Sequence, residues 1–166
     1  LTDKGLTDKG LTDKGLTDKG LTDKGLTDKG QRTRDSEDNK NMKIDRFEDI
    51  EAWQLGRELT KQIYARTKEG SFARDYGLCD QIRRAAGSTM HNVAEGFDSG
   101  SDAEFIRFLR YAQRSCTEVQ SELYVALDQQ YISPVQFEEL YDLTKTTHAK
   151  IGGFIKYLMC SEKGSK

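Results

Sequence analysis

Phe105, Leu109, Ala112, Cys116, Val119, Leu123 and Ala126 recur in alternating steps of four and three. That spacing holds apolar groups on one stripe of an α-helix, and the stripe leaves water only if another helix lies along it. The pattern continues through Phe137, Leu140, Thr144, Thr147, Ile151, Phe154 and Leu158. Upstream, Leu78, Ile82, Ala85, Ala86, Thr89, Val93 and Phe97 form another line, and Ile50, Trp53, Leu59 and Ile63 a fourth. The spacing predicts helices over about 47–69 and 74–97, then a third through Phe105–Ala126 and a fourth through Phe137–Leu158. Trp53 and the other aromatic residues at helical spacing read as core. No segment reads as a strand.

Stop and start chemistry brackets these elements. Gly70 is the expected stop of the first helix. Ser101 followed by Glu104 is a capping box, in which each side chain satisfies an orphan amide of the other residue. Ser133-Pro134-Val135-Gln136 is a second, with proline at the first helical position, where a missing N–H costs nothing. Helices of ~25 residues are ~37 Å long. Joined by short corners, they are expected to run up-down-up-down in an all-α four-helix bundle.

Residues 1–41 differ in kind: "LTDKG" occurs six times, followed by "QRTRDSEDNKN". A five-residue step turns ~500° on a helix, so successive leucines drift around the cylinder and form no stripe. The same step breaks strand alternation. A disordered N-terminal tail is expected over 1–41, with the bundle domain over 42–166. The first methionine is Met42, the expected native start. The tail's charges cancel, so the net charge of -2 belongs to the domain, where 17 Lys and Arg face 19 Asp and Glu. That balance argues against a generally basic nucleic-acid surface and leaves room for a local patch. Cys79, Cys116 and Cys160 show no CxxC spacing, which fits a reducing cytoplasm better than a disulfide or zinc framework. No apolar run reaches the ~18 residues of a membrane span.

Three stretches carry a family likeness: "FEDIEAWQLGRELTKQIY" (47–64), "YGLCDQIRRAAGSTMHNVAEG" (76–96) and "FIRFLRYAQRSCTEVQSEL" (105–123). With them the chain resembles the bacterial four-helix bundle proteins encoded within 23S ribosomal RNA intervening sequences. Related to those is the accessory variability determinant of diversity-generating retroelements. The resemblance implies a four-helix subunit, a homo-oligomer that is a pentamer in several members, and, in the retroelement branch, binding to nucleic acid and a reverse transcriptase. That branch is typically basic, whereas this domain is slightly acidic.

Candidate site residues follow from spacing. Arg107, Arg110 and Arg114 fall on one helix face with Tyr111 beside them, and with Arg83 and Arg84 they form the best basic patch for nucleic acid. Glu104 and Glu118 stand at pairing distance in sequence and would serve equally as surface partners. Asn92, Glu95 and Gly96 end the second helix, where a buried Asn–Glu network would fix the corner. Small residues at Gly56, Ala85–Ser88 and Gly152-Gly153 suggest close approach of a helix or subunit. His91 and Glu95 have the spacing of two metal ligands but no supporting motif, and Glu118 and Glu122 have that of paired carboxylates without a nucleophile. No metal, cofactor or catalytic role is expected. The sequence predicts a non-enzymatic oligomeric accessory protein for RNA, DNA or a ribonucleoprotein. The alternative is a protein–protein scaffold.

Overall fold

The computed structural model describes residues 44–164, with side chains through residue 160. The repeat tail and the start at Met42 lie outside the described residues. Four helices follow in order: α1 (Glu51–Arg66), α2 (Tyr76–Phe97), α3 (Asp102–Asp128) and α4 (Pro134–Gly164). Each packs on the next, and α4 closes back onto α1, giving the up-down-up-down bundle. Among the described residues there is no strand.

The core falls into two clusters. One joins Leu59 and Ile63 of α1 to Leu78 and Ile82 of α2, Leu123 of α3 and Leu140 of α4. The other joins Ala52, Val93, Leu109, Ala112 and Ile151 toward the opposite end. Between them along the helices lie the small and hydroxylated residues Gly56, Thr89, Thr144 and Thr147, all buried, with Cys116 at the edge of the second cluster. The threonine hydroxyls donate to carbonyls four residues back, Thr89 to Ala85, Thr144 to Leu140 and Thr147 to Leu143, and Thr89 Oγ1 also lies 3.8 Å from Cys116 Sγ of the neighbouring helix, so each polar group is satisfied.

The first helix differs from its expected span of 47–69. Phe47–Asp49 form a 3-10 turn, Ile50 is extended (φ −76°, ψ 115°), and α1 begins after it. Ile50 is nevertheless buried, and Trp53 packs edge-on to Phe47 at 5.1 Å. At the other end α1 stops at Arg66, before Gly70. The reason is Arg83: its Nε donates to the Thr67 hydroxyl (2.7 Å) and its Nη2 to the Thr67 carbonyl (2.8 Å). A guanidinium from α2 therefore satisfies an end carbonyl of α1, and Thr67 is fully buried. The chain turns at Gly70 (φ +51°), anchors Phe72 in the core, and enters α2 with Asp75 accepting from the Leu78 amide at 3.0 Å.

The two predicted capping boxes form unequally. At α4 both halves are made: Ser133 Oγ accepts from the Gln136 amide (3.2 Å) and Gln136 Oε1 from the Ser133 amide (2.8 Å). At α3 only Ser101 accepts, from the Glu104 amide at 3.3 Å. The Glu104 carboxylate is held instead by Arg107 at 2.6 Å.

Candidate nucleic-acid interface

The five arginines singled out from the sequence do not form one patch. Arg83 and Arg84 line a groove between α1 and α2, whereas Arg110 and Arg114 line a second groove between α3 and α4. Arg83 is half-buried and committed to Thr67, with its guanidinium 5.2 Å from the Tyr64 ring centre, so it stabilises a corner and presents little charge to solvent. Arg84 is exposed and paired with Asp80 at 3.0 Å. Arg107 is paired with Glu104 and lies over Phe108. Spacing along a helix gives the face correctly, yet it cannot show how a long side chain bends or which distant group takes it.

The α3–α4 groove has a volume of about 390 Å³ and is lined by Arg110, Gln113, Arg114, Thr117 and His148. Gln113 and His148 were not singled out from the sequence. Their signal is faint: Gln113 lies between the two arginines, but His148 is 35 residues away and reaches the groove only through helix packing. Gln113 Nε2 donates to the His148 carbonyl at 3.2 Å, tying the floor together. A Cβ on Gly152 would lie 3.0 Å from the same nitrogen, so the glycine permits the close approach. Arg114 is 5.8 Å from the centre of the Tyr111 ring, and Tyr111 is 40% exposed. Among the described residues no ion pair engages Arg110 or Arg114.

The α2–α3 corner is held differently from the expected network. Asn92 Nδ2 donates to the Ser88 carbonyl at 2.7 Å within its own helix, and Glu95 is exposed, so no buried Asn–Glu network forms. Four residues back is one helical turn, the nearest acceptor within reach of a short amide. Gly96 supplies the tight contact: a Cβ there would meet Phe105 at 2.6 Å and Phe108 at 2.9 Å. Ser99 completes the corner by donating to the Gly96 carbonyl at 2.6 Å.

The remaining titratable groups are scattered. His91 lies in the α1–α2 groove with its ring against Gly87. Among the described residues no group of three or more His, Cys, Asp or Glu side chains is arranged for a metal ion. Burial, and secondarily Glu118, raises the Glu122 carboxyl above its ordinary range. Burial pushes the Cys116 thiol up to about 11. Cys79 and Cys116 are buried free thiols and Cys160 is exposed. Among the described residues no helix is long and apolar enough to cross a membrane.

The same bundle occurs in a solved structure. The crystal structure, at 1.70 Å resolution, of a protein of unknown function from the S23 ribosomal protein family of Bacteroides thetaiotaomicron VPI-5482 superposes with a TM-score of 0.58. It is 21% identical and covers 63% of this chain and 98% of its own, which shows a shared fold. No curated protein matches the chain. The family described as 23S rRNA-intervening sequence protein matches residues 48–153, from the 3-10 turn before α1 into the C-terminal half of α4. The chain belongs to the 23S rRNA-intervening sequence protein family.

Proposed function

We propose that the protein is a non-enzymatic, oligomeric accessory protein that binds RNA or DNA, alone or within a ribonucleoprotein such as a reverse-transcriptase complex. The observation that carries this reading is the N-terminal half of α3, where Arg110 and Arg114 project without carboxylate partners among the described residues, beside a partly exposed tyrosine. Guanidinium groups neutralise phosphates and aromatic faces stack on bases, a combination suited to a single strand. The family's description, which ties it to an rRNA intervening sequence, supports the same reading. The acidic balance of the domain confines any such surface to a local patch.

Purification at low salt followed by native mass measurement and an A260/A280 ratio tests the proposal. A multiple of the subunit mass, five if the pentamer that the resemblance implies holds here, together with co-purified nucleic acid is expected. A nucleic-acid-free monomer, or binding indifferent to salt, would overturn it. A protein–protein scaffold is favoured by exposed Tyr76 (79%), Val135 (68%) and Tyr157 (63%), and predicts oligomers that carry no nucleic acid.

A further inference from the structure

Among the described residues, solvent-facing grooves that hold arginines differ in chemistry, and the one lined by Arg74 also carries Asp75. In the α1–α2 groove Asp80 neutralises Arg84, and Arg83 has turned inward to Thr67. In the α3–α4 groove every lining side chain carries a hydrogen-bond donor or, in His148, can carry one on either ring nitrogen, and no carboxylate is among them. Two planar guanidinium groups one helical turn apart flank an amide whose position is fixed by its bond to the His148 carbonyl. A second amide proton of Gln113 remains for a ligand. Such a set of donors suits an oxyanion with several acceptor oxygens, which arginine engages in bidentate fashion.

We infer that the α3–α4 groove is a phosphate site built from Arg110, Arg114, Gln113 and His148, seating one backbone phosphate of a bound nucleic-acid strand. The phosphate chemistry rests on the groove alone, whereas the strand as its source rests on the function proposed above. Tyr111, packed against Arg114, lies on the flank where an adjoining base would stack. Thr117 contributes less, because its hydroxyl donates to the Gln113 carbonyl at 3.3 Å.

The two histidines of the chain make the test clean, since His148 lies in this groove and His91 in the α1–α2 groove. The full chain is titrated with inorganic phosphate and, separately, with a fluorescein-labelled oligouridylate, following imidazole NMR signals and fluorescence anisotropy. Both probes are expected to move the His148 signals and leave those of His91. The double variant Arg110→Gln, Arg114→Gln is expected to bind the oligouridylate about ten-fold or more weakly. Its salt slope should shrink by about 0.7 for each phosphate no longer neutralised. Arg84→Gln should bind as the parent does. All three arginines are exposed, so these variants keep the fold. An oligouridylate that binds the double variant normally, or moves His91 and not His148, overturns the groove while leaving nucleic-acid binding standing. Phosphate moving His148 with no oligouridylate binding keeps the groove and overturns the strand. If neither probe moves His148 and the oligouridylate does not bind, both fall.

Discussion

At the scale of single residues, Gly96 and Gly153 lie inside long helices and have opposite effects on stability. A methyl at Gly96 would collide with Phe105 and Phe108, whereas a methyl at Gly153 would meet open space. Gly96→Ala should destabilise the bundle by roughly 1–3 kcal/mol through overpacking. Gly153→Ala should stabilise it by up to about 1 kcal/mol through helix propensity. Urea denaturation of the two variants checks both signs. Arg83 gives the complementary case. Arg83→Met should cost about 1.5–3 kcal/mol, because it leaves the buried Thr67 carbonyl with only the weak Cys79 thiol at 3.5 Å, and should leave nucleic-acid binding unchanged. Its role was not legible in the sequence: the partner is 16 residues away across a corner, and periodicity describes only which way a residue faces. Gly96 was legible as part of the corner, whereas its contacts with Phe105 and Phe108 were not. The Asn92–Glu95 network was not, because choosing between an acceptor in the same helix and one across the corner needs coordinates.

At the scale of elements, α3 was read almost directly, since all seven residues of its seam are buried. Alternating steps of four and three leave no second way to hide those groups. The break at Ile50 was invisible because an apolar residue in phase with Trp53 looks helical whatever its backbone does. The end of α3 carries a conformation composition does not announce. Gln130 has φ 58°, the Tyr131 amide donates to the Ala126 carbonyl, and the Gln130 amide donates to that of Leu127. This pair of bonds closes a helix most readily around glycine. Gln130→Gly should therefore raise stability by about 1 kcal/mol, read as a shift in the urea midpoint with unchanged slope. On the same helix, Glu122 has a folded pKa above its unfolded one, so it favours the fold while protonated and loses that contribution as pH rises through the folded value. Glu122→Gln should stabilise the protein at neutral pH by about 0.2–0.5 kcal/mol, since it also ends the repulsion from Glu118. The difference should close as the pH falls below the usual carboxylate range.

At the scale of the whole domain, the described residues divide their apolar packing between two clusters separated by a layer of threonines. All four helices cross that layer, so unfolding is expected to be a single transition even though the core is in two parts. Thiol chemistry reports on the same integrity. At pH 8 a disulfide reagent should titrate Cys160 rapidly, with Cys79 and Cys116 reacting only on unfolding, because burial raises both thiols. The corner between α1 and α2 has a practical consequence. Lys68, Glu69, Gly70 and Ser71 are exposed, while Thr67 before them and Phe72 after them are fixed in the interior. A peptide tag spliced into that tip would leave both footings undisturbed, making it a handle for immobilising the protein with the α3–α4 side free.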